Sequence, residues 1–123
     1  MKSFLLVFLG GGLGSSLRYL VASAMNQYSK VLPFGTFTVN ILGCLLIGLI
    51  LGYAQKENTL TSNQTLLLAT GFCGGFTTFS AFANENLELI KNGEIFNLSL
   101  YILGSIIIGI LAVFIGYYLI SNK

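Results

Sequence analysis

Three glycines, two threonines, a serine, a cysteine and four phenylalanines crowd into the stretch GFCGGFTTFSAF, Gly71 to Phe82. Glycine weakens a helix by about 1 kcal/mol relative to alanine, and the adjacent Gly74 and Gly75 let the chain leave helical geometry. A helix broken there exposes backbone carbonyls, which in an apolar medium need a partner such as water or a cation. A cage made only of oxygens suits a hard monovalent cation such as sodium. The glycines also have a plainer use, because Gly71 and Gly75 form a small-xxx-small face for close helix packing. The two readings are compatible.

Beyond the glycines, Thr77, Ser80 and Asn84 fall at i, i+3 and i+7, the spacing of one polar stripe on a continuing helix. Phe79 and Phe82 lie on roughly the opposite side. Packing against lipid or core accounts for such a pair. A ring edge, positive where the face is negative, can also meet an anion without a fixed charge that would hold it too tightly for conduction. Asn40 carries an amide that cannot face lipid unpaired. Helix–helix hydrogen bonding and pore lining both satisfy it. Arg18 lies about seven residues, or ~10 Å, from the end of its apolar run. It is either an interfacial anchor whose long side chain snorkels or the charge of an anion-attracting vestibule.

The elements that must position these groups are membrane helices. The 123 residues are 54% hydrophobic and only 8% charged, with a mean hydropathy of +0.84, too little charge for the surface of a soluble domain. Four apolar runs, Phe4–Met25, Phe34–Ala54, Thr65–Ile90 and Ile95–Ile120, each reach the ~20 residues that cross ~30 Å of hydrocarbon. The connections NQYSK and QKENTLTSN are short and polar. The amino-terminal MKSFLLVFLGGGLGSS imitates a signal peptide, but the apolar pattern continues through LRYLVASAM and reads as the first span. Residues 1–123 thus form a single four-helix transmembrane domain, with no room for a soluble one.

With four spans, Lys2, Lys56 and Lys123 fall on one side, and Arg18, Lys30 and Lys91 on the other. The positive-inside rule therefore gives almost no orientation. Either the first helix decides, or both orientations are made and paired as an antiparallel homodimer. Four short helices enclose a polar path poorly, which also favours a dimer.

The glutamates are Glu57, Glu85, Glu88 and Glu94, and aspartate and histidine are absent. A small proton-coupled exporter of cationic drugs needs a glutamate inside its first helix. Here that helix offers only Arg18. Intramembrane ionisable groups are functional candidates, and the sign is wrong for cations. Cys44 and Cys73 sit inside spans without metal-type spacing and read as small buried apolar residues.

The strings GGLGSSLRY from Gly11, GTFTVN at Gly35–Asn40 and GFCGGFTTFSAF, in that order along four spans, closely resemble the Fluc, or CrcB, fluoride channels. The resemblance covers the whole chain. It implies an all-α integral membrane protein of the cell membrane with its third helix broken near the middle. The assembly implied is an antiparallel dual-topology homodimer, or a pair with a paralogous subunit. The resemblance further implies a passive channel with two fluoride pores per dimer, not an enzyme and with no nucleic-acid partner. A structural sodium ion at the dimer centre would be held by the carbonyls of Gly74 and Thr77. Phe79 and Phe82 would line the pores by their ring edges. Asn40 would donate a hydrogen bond there, with Ser80 as a further polar contact. Arg18 matches an arginine near a pore vestibule. Glu85 matches a glutamate to which no role is assigned. On the fourth helix Tyr101 and Ser105 fit a hydroxyl track at four-residue steps, but the next steps, Gly109 and Val113, carry no hydroxyl. The biology implied is acid–base chemistry. Fluoride enters acidified cells as neutral HF, ionises in the cytoplasm and is trapped, and a passive channel lets it leave.

Overall fold

The computed structural model describes residues 1–56 and 59–122. Glu57 and Lys123, which entered the sequence reading, lie outside the described residues. Among the described residues the chain is all-helical, with four segments long and apolar enough to cross a membrane: Lys2–Asn26, Phe34–Gln55, Ser62–Lys91 and Ile95–Ser121. It is a multi-pass membrane protein.

Helix α1 (Lys2–Asn26) and helix α2 (Phe34–Gln55) are continuous. Pro33 precedes α2, where its fixed φ and missing N–H cost nothing. The third segment starts at Ser62, three residues before the apolar run. Thr61 there accepts the Gln64 N–H while the Gln64 side chain accepts the Thr61 N–H, a capping box. Helix α3 runs from Ser62 to Phe76. Its middle, Leu66–Cys73, is wound as a π-helix, and the Gly74 N–H reaches back five residues to the Ala69 carbonyl. Thr77 (φ −84°, ψ 157°) and Thr78 (φ −150°, ψ 121°) are extended, and helix α4 (Phe79–Lys91) begins beyond them. Gly93 ends α4 at φ +72°, where only glycine avoids strain. Its N–H donates to the Ile90 carbonyl and the Glu94 N–H to Leu89, the Schellman pattern. Helix α5 (Ile95–Ser121) follows at once.

Packing between helices in lipid gains little from the hydrophobic effect and rests on close van der Waals approach at small residues. Helix α2 makes its most extensive contact with α5, and α1 packs along α3. A Cβ added at Gly48 would lie 2.3 Å from the Val113 carbonyl oxygen, and one at Gly116 would lie 2.4 Å from that of Leu45. Gly10, Gly14 and Gly75 bring α1 and α3 together in the same way, with added Cβ atoms 2.2–2.3 Å from opposing carbonyl oxygens. Most large side chains of α1 and α5 point outward and are exposed.

A Gly48→Val variant is expected to lose about 1–3 kcal/mol of stability by overpacking. Gly104→Ala, with nothing within 4 Å of its added Cβ, should match the wild type. Thermal unfolding of the purified protein in detergent measures both, and equal midpoints would refute the close approach of α2 and α5.

Candidate functional site

Two extended residues in a membrane helix leave backbone groups without helical partners. At the Thr77–Thr78 step one side chain supplies much of the replacement. Asn40 Nδ2 donates to the Thr78 carbonyl at 3.1 Å, and the Thr78 N–H donates to Asn40 Oδ1 at 2.8 Å. Gly43, almost one turn further along α2, makes the room. A Cβ there would fall 2.2 Å from Thr77 Cγ2.

This pairing changes which carbonyls are closed. The N–H four residues beyond Gly74 belongs to Thr78 and goes to Asn40. The N–H four residues beyond Thr77 belongs to Ala81 and goes to Thr78 Oγ1 at 3.2 Å. Neither carbonyl is therefore closed by its helical partner. Gly74 is exposed, with nothing within 4 Å of an added Cβ. The Gly75 carbonyl differs, taking hydrogen bonds from Arg18 Nε at 3.1 Å and Ser15 Oγ at 3.3 Å. Among the described residues no cluster of three or more His, Cys, Asp or Glu could hold a metal ion. Carbonyl oxygens such as those of Gly74 and Thr77 are ligands of the type that hard cations take.

Beside the break lies an open groove of about 460 Å³ between α2, α3, α4 and α5. Asn40, Gly74, Thr77, Phe79, Phe82 and Ser105 all line it, and none of its lining residues is charged. Phe79 is 80% exposed, with its ring 5.8 Å from that of Phe82. The Phe82 ring lies 5.0 Å from that of Tyr101, tilted by 52°. Ser105 Oγ is buried and has no hydrogen-bond partner among the described residues.

Other nominated residues stand apart from the groove. Ser80 is exposed, its hydroxyl 3.2 Å from that of Thr78. Tyr101 is buried against a second, apolar cavity of about 160 Å³, and its hydroxyl donates to Glu85 Oε2 at 2.7 Å. The other carboxylate oxygen accepts from Thr36 Oγ1 at 2.5 Å. Thr77 leaves the expected stripe, because its backbone is extended. Its hydroxyl turns back to the Cys73 carbonyl at 2.9 Å, so only Ser80 and Asn84 share an exposed face of α4. On α5 the hydroxyl track stops after Ser105 for a packing reason. Gly109 is buried near Cys44, and the Val113 backbone is pressed against Gly48.

The family model described as "CrcB-like protein, Camphor Resistance (CrcB)" matches residues 5–117. The chain belongs to the CrcB family. A relative from Flavobacterium psychrophilum is 47% identical over 117 residues, covering 94% of each chain. One from Phocaeicola vulgatus is 48% identical over 120 residues, covering 97% of this chain and 98% of its own. One from Gloeothece citriformis is 48% identical over 123 residues, covering 99% of each. All three are named "Fluoride-specific ion channel FluC", the name of a channel and not of an enzyme.

In this CrcB chain the sequence reading missed three participants: Thr36, Ser15 and the backbone of Thr78. Thr36 had a signal, since it stands four residues before Asn40 and shares its helix face. Ser15 and Arg18 likewise follow Gly11 at i+4 and i+7 on the face that meets α3.

Asn40→Ala leaves the Thr78 N–H and carbonyl unpaired and is expected to cost about 1–3 kcal/mol. Asn40→Asp should also destabilise, because a carboxylate cannot donate to the Thr78 carbonyl. Thermal unfolding in detergent measures both, and wild-type midpoints in both variants would show that the pair does not hold the break.

Proposed function

We propose that this chain is a passive, fluoride-selective channel of the cell membrane that lets fluoride leave the cytoplasm. Two chains in antiparallel orientation would form it, with two pores and a structural sodium ion between the subunits. The carrying observation is the groove, whose lining includes amide, hydroxyl and aromatic side chains and no charged residue, in a chain about half identical to named fluoride channels.

The chemistry suits a small, strongly hydrated anion. One Asn40 N–H is used on the Thr78 carbonyl, and the amide has a second. Ser105 carries an unpartnered hydroxyl on the same wall. Phe79 and Phe82 add ring edges, whose weak positive potential attracts an anion without trapping it. Glu85 is tied to two hydroxyls and stands off the groove lining.

The exposed Phe79 ring and the open side of the groove support closure by a second chain. The even division of Lys and Arg between the two sides supports an antiparallel one. Dimer contact would bring the Gly74 and Thr77 carbonyls of both chains together. A sodium ion there would neutralise dipoles that otherwise face one another in a low dielectric.

Liposomes loaded with potassium fluoride and treated with valinomycin test the reading, with fluoride release followed by electrode and chloride as the comparison. Fast release of fluoride but not chloride is expected. Phe82→Ile removes the ring edge from the groove wall and should cut fluoride flux sharply while leaving the protein folded. No release from folded wild-type protein contradicts the channel, and wild-type flux in Phe82→Ile removes the ring from the mechanism.

A further inference from the structure

We infer that Arg18 and Ser15 form a clamp on the Gly75 carbonyl that sets the cation cradle at the break, with Arg18 as its principal positioning residue. The inference rests on the proposed sodium site and concerns what holds that site in shape. The carbonyls of Gly74 and Gly75, in the last turn of α3, and of Thr77, just beyond its end, lie near the break. All three could turn toward a cation. The structure removes one of them, because Gly75 accepts from Arg18 Nε at 3.1 Å and from Ser15 Oγ at 3.3 Å.

The approach is built into α1. A Cβ at Gly75 would lie 2.3 Å from the Gly11 carbonyl oxygen, and one at Gly14 would lie 2.2 Å from that of Phe72. With backbones in contact there, Ser15 and Arg18 reach across to the last turn of α3. Both side chains are half-buried, so their bonds to Gly75 are partly shielded from water. Arg18 is thereby spent on a carbonyl and does not line the groove.

Two opposed effects follow from one side chain. Its N–H holds the peptide plane between Gly75 and Phe76, and so the direction of the neighbouring Gly74 carbonyl. Its positive charge repels a cation held there. Glutamine separates the two, since its amide nitrogen stands at the same place along the side chain as arginine Nε but carries no charge. Methionine removes both.

The test is sodium-dependent thermal stabilisation of the purified protein in detergent, with N-methyl-D-glucamine replacing sodium at constant ionic strength. Partners that orient metal ligands are typically worth about 10–100-fold in affinity. Arg18→Met should therefore raise the half-stabilising sodium concentration about tenfold or more. Arg18→Gln should leave it at or below the wild-type value. Ser15→Ala, which keeps Arg18, should raise it by less than Arg18→Met. The midpoint in sodium-free solution is the control, because a residue that merely braces two helices lowers that midpoint and leaves the sodium dependence unmoved. Unchanged sodium dependence in Arg18→Met overturns the clamp, as does equal weakening in the Gln and Met variants. Should Arg18→Met fail to fold, Ser15→Ala decides alone, and an unmoved value there overturns the clamp. A wild type without sodium-specific stabilisation refutes the sodium site itself, and the clamp falls with it.

Discussion

The fold turns on one side chain paired with one peptide. A membrane helix keeps its backbone polar groups satisfied within itself, and an unpaired one in hydrocarbon costs several kcal/mol. The Thr77–Thr78 step departs from that rule at bilayer depth. Asn40 makes the departure tolerable by accepting from the Thr78 N–H and donating to the Thr78 carbonyl. Without the pair, the cheaper course for the chain would be an unbroken helix from Ser62 to Lys91. With it, Thr78 caps α4, Phe79 faces outward, Phe82 meets Tyr101, and the carbonyls of Gly74 and Thr77 lose their helical partners while that of Gly75 bonds to α1.

The glycines serve that constraint as well as packing. Gly43 leaves the space into which Thr77 turns, and Gly10 and Gly14 let α1 lie against α3 at backbone contact. A bilayer offers no water to fill a poorly matched surface, so such close approach is the main source of cohesion between helices. What emerges is a chain of tightly seated helix pairs, α1 with α3 and α2 with α5. The groove opens where these pairs meet the start of α4.

Much of this was legible in the residues. Hydropathy located all four spans, and six of the residues singled out for chemistry, Asn40, Gly74, Thr77, Phe79, Phe82 and Ser105, line one groove. The third helix begins at Ser62, ahead of its apolar run, because Thr61 and Gln64 form a capping box on polar residues that hydropathy ignores. The stripe of Thr77, Ser80 and Asn84 failed because helical spacing was extended across residues that are not helical. The partner of Asn40 is a peptide 38 positions away, and peptide groups are alike at every residue, so no pattern could mark it. The targets of Arg18 and of Ser15 were hidden for the same reason. The π-helical winding of Leu66–Cys73 has no composition of its own.

The most direct test of this account looks at the released carbonyls themselves. Carbonyl-carbon chemical shifts of the protein labelled at Gly74, Gly75 and Thr77 would be recorded in bilayers with sodium and then with N-methyl-D-glucamine. The Gly74 and Thr77 signals should move on removal of sodium while that of Gly75, bonded to Arg18 and Ser15, stays in place. Three unmoved signals, or a shift confined to Gly75, would contradict it.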